Sequence, residues 1–298
     1  MIIGLDIGGT KIEGIALDPN TLEEIAKIRK PTQKDAYNHF LESVRNVLTF
    51  LAEKGTIDSI GISCCGSIGN DGLMQGANVT VLNGKDFVGD LQKYFDVPIK
   101  LANDADCLAL SEFVDGAGKE AANSCVGIII GTGCGSGVIT YKSLVTGLNK
   151  LGGELGHNPL PHFDKDIDGS KAQCYCGSYN CSELFVSGTG FARTYHEKYG
   201  EDLTTYDIVQ NAKNNDAKAT EHLDLYCDQL ARVCGTIVNF VDPEVIVLGG
   251  GMSNIDEIYP LVNAKLDNYT FTKNTLTKVV KNVHGDSSGI RGAAFLHR

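Results

Sequence analysis

The stretch 152–183 constrains this chain more than any other. It gathers Glu154, His157, Cys174, Cys176, Cys181 and Glu183 in a segment rich in glycine and poor in hydrophobic periodicity. Sixteen residues separate His157 from Cys174, one separates Cys174 from Cys176, and four separate Cys176 from Cys181. A loop of that length without a core of its own needs a staple. Three thiolates and one neutral imidazole suit a closed tetrahedral site, so the spacing predicts structural zinc on His157, Cys174, Cys176 and Cys181. The plainer alternatives are free thiols beside a surface histidine, or a disulfide. Glu154 and Glu183 are not needed as ligands. They frame the loop, which suggests that it aims polar groups at something else.

With 298 residues the chain is long enough for two lobes, each with a sizeable core. Its net charge of -11 argues against a nonspecific grip on nucleic acid. No stretch reads as a transmembrane helix, and the apolar opening is broken at once by Asp6 rather than continuing as a signal peptide. Ten cysteines without a secretory signal point to a reducing, cytoplasmic compartment. Cys64, Cys65, Cys107 and Cys125 lie among apolar residues and read as buried small hydrophobes.

Along the chain, 2–7 reads as a buried strand that turns at Gly8, Gly9 and Thr10 and returns over 11–18. Such a turn exposes backbone N–H groups to phosphate oxygens, although an ordinary hairpin has the same letters. Asp6 ends the first strand, where its carboxylate can hold magnesium. A strand at 24–30 and a helix over 35–54 follow, the helix from apolar residues at helical spacing. Next come a strand at 59–63, a turn-rich loop at 64–72, a short helix over 86–96 and a strand at 99–102. A second apolar strand, 125–130, runs into Gly131, Thr132, Gly133, Cys134, Gly135, Ser136 and Gly137 and returns over 138–141. Strand, glycine turn with threonine and strand thus occur twice, a weak internal repeat that makes both turns candidate phosphate grips. Helical segments are read at 182–199, interrupted over 187–190, and at 217–240. A strand at 245–248 then meets a third glycine turn, 249–251. A helix at 255–266, a polar hinge at 285–289 and a final helix at 290–298 complete an alternating α/β pattern.

Asn103 and Asp104 stand where the strand at 99–102 becomes a helix over 105–114. One of them caps that helix. A carboxylate there is expected to be held ionised by the helix dipole and free N–H groups. It is also presented at the carboxyl end of a strand, where open α/β sheets bind ligands and where it can accept a proton from a substrate hydroxyl.

Four motifs, LDIGGTK at 5–11, GTGCGSG at 131–137, GELGH at 153–157 and CYCGSYNCSE at 174–183, resemble the ROK family of sugar kinases and repressors. They run in order along nearly the whole chain. The resemblance implies a two-lobe α/β fold of the ribonuclease-H-like, actin-like ATPase type, with hexose and ATP in the cleft. One lobe would span 1–115, with 288–298 packing back on it, and the other 116–287. Asp104 matches the general base. Gly66, Asn78, Asn103, Glu154, His157 and Glu183 match sugar-binding positions. Gly8, Gly9, Thr10, Lys11, Thr132, Gly133, Gly135 and Gly137 match the phosphate turns, Gly250 the nucleoside turn and Asp6 the acid near Mg2+. His157 would face the sugar with the ring nitrogen that zinc leaves free. A homodimer is a further implication.

The segments NPLP at 158–161, DPEVIVLGGGMSN at 242–254 and HGDSSGIRG at 284–292 look like the bacterial fructokinase branch. ANDADCLALSE at 102–112 is shared with the N-acetylglucosamine kinase branch, and in both branches the equivalent of Asp106 is often asparagine. The expectation is therefore ATP-dependent phosphorylation of fructose, with N-acetylglucosamine, glucose or mannose as the alternative. Two other classes compete. A DNA-binding repressor of the family carries a helix-turn-helix ahead of the first strand, which this acidic chain does not show. A non-catalytic sugar sensor would bind sugar without forming ADP.

Overall fold

Two apolar runs, Ile2–Ile7 and Cys125–Ile130, form strands inside two five-stranded sheets. The computed structural model describes residues 1–298, the side chain at 286 apart. In the first sheet the order is Glu24–Pro31, Lys11–Leu17, Ile2–Ile7, Ser59–Cys64 and Ile99–Ala102. In the second it is Ser143–Leu144, Cys134–Thr140, Cys125–Ile130, Val245–Gly249 and Lys278–Lys281. Each sheet has a glycine-turned antiparallel hairpin whose first strand pairs in parallel with a later one. The internal repeat of the sequence is thus a repeat of topology.

Each sheet has its own core. Ile3, Leu5, Ile12 and Ile62 pack with Phe40, Val44 and Leu48 of the Tyr37–Ala52 helix. Ile128, Ile130 and Ile246 pack with Phe185, Tyr226 and Leu230, the last two from the Ala217–Val241 helix. The lobes meet through two short helices. Ser288–Ala294 lies directly on the first sheet, because Gly4 and Gly61 leave room for its backbone; a Cβ on Gly61 would stand 1.7 Å from the Ala293 carbonyl oxygen. Asp104–Val114 lies on the second sheet against Gly127 and Gly137, and crosses the first helix where Gly292 meets the Cys107 carbonyl. Glu112, fully buried, ties the crossing together by accepting hydrogen bonds from the Val283 and His284 N–H groups and from Ser288 Oγ.

Several expectations need correction. The return strand of the second hairpin begins at Cys134, not at 138, because Cys134 already pairs with Ile130 and the glycine-rich run is itself extended. The loop at 64–72 contains a small hairpin partner, Ser67–Ile68, paired with Met74–Gln75. Two elements gave too weak a signal to be read. The Thr205–Lys213 helix buries only Ile208 and Val209 and is started by a Thr204–Asp207 capping box. Lys278–Lys281 is a four-residue edge strand. Cys65 is partly exposed, unlike the buried Cys64, Cys107 and Cys125, because it follows the last strand residue and faces the cleft.

Candidate active site

The loop that carries the histidine and cysteines is pinned at several points. Pro159 bridges Cys181, Gln173 bridges Tyr179, and the Ser182 N–H donates to the Asn158 carbonyl. Asp168, at its middle, is buried against Arg232 at 2.9 Å and accepts from Gln229. These contacts bring the four ligand atoms of His157, Cys174, Cys176 and Cys181 within 4.8 Å of one another. Cys176 Sγ is 3.6 Å from Cys181 Sγ, and Cys174 Sγ is 3.7 Å from His157 Nδ1. A tetrahedral zinc with bonds of about 2.0–2.3 Å spans edges of about 3.5–3.8 Å, so the donor set fits the ion. All ten cysteines are free in this structure, and the Cys176 and Cys181 sulfurs, 3.6 Å apart, are not bonded to each other. Hydrogen bonds from Ser178 pull the Cys176 thiol down to about 7, while burial and the neighbouring thiols push Cys181 up to about 12.

His157 departs from expectation at its other nitrogen. Nε2 does not stand free towards the cleft: it lies 3.0 Å from the Tyr175 hydroxyl, with the two rings edge to face. The turn Leu155–His157 sits hard against the second hairpin. A Cβ on Gly156 would stand 2.0 Å from the Cys134 carbonyl oxygen, and Gly153, at φ +90°, lies equally close to that of Ser136. Glycine at both places lets Glu154 and His157 reach the cleft.

Asn103, not Asp104, caps the Asp104–Val114 helix, its side chain accepting from the Ala105 N–H at 2.9 Å. Asp104 is the first helical residue, and its Oδ1 accepts from the same N–H. Burial raises the Asp104 carboxyl against the opposing backbone hydrogen bonds. Desolvation thus outweighs the helix terminus, and the carboxyl lies above its ordinary value instead of below it. Asp6 is raised too, first by burial, then by the charge of Asp104, against a hydrogen bond from Ser63. Asp106 is pushed up to about 7 by burial and by Glu154 and Asp104, and its Oδ1 is buried without a hydrogen-bond partner.

A cavity of about 660 Å³ occupies the cleft. Its walls include Asn78, Asn103, Asp104, Thr132, Gly133, Gly135, Glu154, His157 and Glu183. A smaller one, about 220 Å³, lies behind the first turn and is lined by Asp6, Gly8, Gly9, Asn78 and Asp104. Asn78 and Asp104 belong to both. Glu183 also reaches the second turn, its Oε2 accepting the Cys134 N–H at 2.9 Å.

Other candidates stand apart. Gly66, at φ +122°, is pressed against Gln75 and Ala77 and shapes its loop. Gly137 is covered by Ala105 and Asp106. Lys11 pairs with Glu13 at 3.1 Å, beside Thr10. Gly250, at φ +82°, rests on Ile130 while its neighbours Gly251 and Met252 line a third cavity. Neither turn offers all its N–H groups: Gly8 donates to the Lys11 carbonyl and Gly131 to that of Gly133.

The third cavity, about 710 Å³, is walled by Gly131, Thr132, Thr189, Thr205, Tyr206, Lys213 and Met252 among others. Most of these escaped the sequence reading, as did Tyr175 and Arg193 in the cleft. A signal was present at 187–190. The letters SGTG read as an interruption, yet Ser187 caps the Gly188–Tyr199 helix and Thr189 donates to the Thr132 carbonyl. They place a helix N-terminus beside the second turn.

The ROK family model matches residues 2–298. N-acetyl-D-glucosamine kinases from Vibrio cholerae and Pectobacterium atrosepticum are 37% and 35% identical to the chain, covering all of it and 99% of each relative. Among solved structures, a ROK hexokinase from Thermus thermophilus superposes with a TM-score of 0.88 at 23% identity, over 99% of this chain and 97% of that one. A ROK glucokinase from Streptomyces griseus, in complex with glucose and AMPPNP, gives 0.76 at 20% identity over 99% and 98%. These two likenesses bear out the two-lobe actin-like fold. The expectation of fructose falls: full-length relatives of this identity are N-acetyl-D-glucosamine kinases, and the short segments that suggested fructokinase are outweighed by similarity along the whole chain. With the model matched from end to end and the kinase relatives equally complete, the chain belongs to the ROK family and stands among its sugar kinases.

Proposed function

We propose that this chain transfers the γ-phosphoryl group of ATP to a hydroxyl of N-acetyl-D-glucosamine. The observation that carries the reading is the place of Asp104, which lines both the cleft cavity and the small cavity behind the first glycine turn. The choice of sugar is supported by the names of the relatives at 35–37% identity.

In this reading Asn78, Asn103, Glu154 and Glu183 hold the sugar, with His157 fixed behind them by the metal loop. Gly66 contributes by setting the loop that carries Asn78 into the cleft. The phosphates run between Gly8–Lys11 and Thr132–Gly135, and the nucleoside enters the cavity floored by Gly250 and its neighbours. Gly137 acts by letting the Asp104 helix approach. The sugar hydroxyl oxygen bonds to the γ-phosphorus as the bond from phosphorus to the ADP oxygen breaks, and the hydroxyl proton passes to Asp104. Burial makes Asp104 a stronger base than an ordinary carboxylate, which favours that transfer. Phosphoryl transfer needs alignment and charge neutralisation more than covalent help. Magnesium, when bound near Asp6, supplies that neutralisation. Zinc, if bound, would be held by His157, Cys174, Cys176 and Cys181, and with four protein ligands it would serve to hold the loop rather than take part in the chemistry. Residues 1–115 with 288–298, and residues 116–287, form the two closing bodies, and two copies pair in solution. No helix among the described residues is long and apolar enough to cross a membrane.

A panel of hexoses with ATP and magnesium, read as ADP release, tests the reading. N-acetylglucosamine gives the highest kcat/KM, and another hexose in that place refutes the sugar assignment. Sugar binding without ADP from any hexose makes the protein a sensor. Asp104→Asn lowers kcat by roughly 10²–10⁴-fold, the usual worth of a general base, while N-acetylglucosamine still binds. Unchanged turnover removes Asp104 from its role.

A further inference from the structure

Tyr175 lies between two of the metal-loop cysteines, so its backbone is clamped on both sides by ligands that converge on one point. Its ring nevertheless lines the cleft cavity, and the side chain is largely exposed. The hydroxyl lies 3.0 Å from His157 Nε2, while Nδ1 of the same ring faces Cys174 Sγ at 3.7 Å. The two nitrogens thus have separate duties. With Nδ1 turned to the thiols, the proton of the neutral imidazole resides on Nε2, which donates to the phenol oxygen. The phenolic proton is then unused by the histidine and free to point into the cavity. Around it in the cleft stand Glu183 and Glu154 from its own lobe and Cys65 from the opposite one.

We propose that Tyr175 is a sugar-contacting, specificity-determining residue: its hydroxyl, oriented by His157, donates to the substrate where the imidazole would otherwise reach. Its exposed ring supplies an apolar face against the sugar or its acetamido methyl. This rests on the reading of the cleft as a sugar site.

The test is calorimetric titration of N-acetylglucosamine into the wild-type protein and Tyr175→Phe, with no ATP present. The chain has no tryptophan, so calorimetry is preferred to fluorescence. Loss of one donor to a sugar oxygen weakens Kd by roughly fivefold to twentyfold, with bound zinc and thermal midpoint unchanged. In turnover the loss falls on KM more than on kcat. Equal or tighter binding by Tyr175→Phe overturns the inference: the tyrosine then only braces or blocks the histidine. Tyr175→Ala, lacking the ring as well, weakens binding further, and binding as tight as that of Tyr175→Phe removes the role of the apolar face. Wild-type protein that binds no N-acetylglucosamine defeats the functional reading instead, so the two failures are told apart.

Discussion

At the first glycine turn, a Cβ placed on Gly9 would find no atom within 4 Å; at the second, a Cβ on Gly133 would stand 2.6 Å from Glu183 Oε2 and one on Gly137 2.6 Å from the Ala105 carbonyl. The two turns share letters and topology, but glycine serves different ends in them. In the first it leaves backbone open to a visitor. In the second it admits the protein's own helix and its own glutamate. Similar motifs therefore predict opposite responses to the same mutation. Gly137→Ala drives a methyl into helix backbone that cannot yield, costing about 3 kcal/mol or more and displacing Asp104. Gly9→Ala changes stability by less than about 0.5 kcal/mol but raises KM for ATP about tenfold, because only an incoming phosphate meets the methyl. Urea unfolding and steady-state kinetics on the two variants settle whether the contrast is real. Equal stability losses at both positions would dissolve it.

The second turn also leans on the metal loop, and the first does not. Gly153 and Gly156 press on its outgoing strand, and Glu183 grips the Cys134 N–H. Removing the ion with a chelator, or one ligand with Cys181→Ser, should loosen this turn at a distance. Hydrogen exchange is expected to accelerate at Cys134 and over 153–157, with residues 8–11 unchanged. Affinity for N-acetylglucosamine falls about tenfold or more, as loss of a ligand set that organises the fold implies. A metal-free protein with unaltered exchange and binding would strip the loop of its organising role.

This contrast marks where legibility in the sequence ended. Strands such as 2–7 and 125–130 were plain because continuous apolar runs bounded by glycine have few other uses. The convergence of His157 with Cys174, Cys176 and Cys181 was legible because soft donors at short spacing have few other uses either. What stayed hidden was which side of a glycine is occupied. GTGCGSG cannot say whether its glycines face a ligand or Ala105, since that depends on the Asp104–Val114 helix, which belongs to an earlier part of the chain. Tyr175 was hidden for the same reason: between two cysteines it reads as filler, and only the fold brings its hydroxyl to His157. For Asp104 the helix terminus was legible but its burial was not, because burial is a tertiary property while a helix terminus is a local one. Fructose was inferred from three short segments, and these weigh less than similarity along the whole chain to N-acetyl-D-glucosamine kinases.

The smallest expected effect lies beneath the second turn. Asp106 packs there, its Cα 2.7 Å from where a Cβ on Gly137 would stand. Its carboxyl is pushed up to about 7 by burial, Glu154 and Asp104, from an ordinary value of 3.8. A carboxyl raised on folding favours the folded state fully below about 4, and that contribution is lost as pH rises through about 7. At pH 8 the folded protein holds an ion it would rather protonate. Asp106→Asn removes the ion and keeps the shape, so the variant is more stable than wild type at pH 8 by about 1–3 kcal/mol. The difference closes as pH falls towards 4, since the wild-type carboxyl is then neutral like the amide. Urea unfolding at intervals between pH 4 and 8 measures it. A stability difference that does not vary with pH would mean that the orphaned oxygen, and not its charge, is what the second turn tolerates.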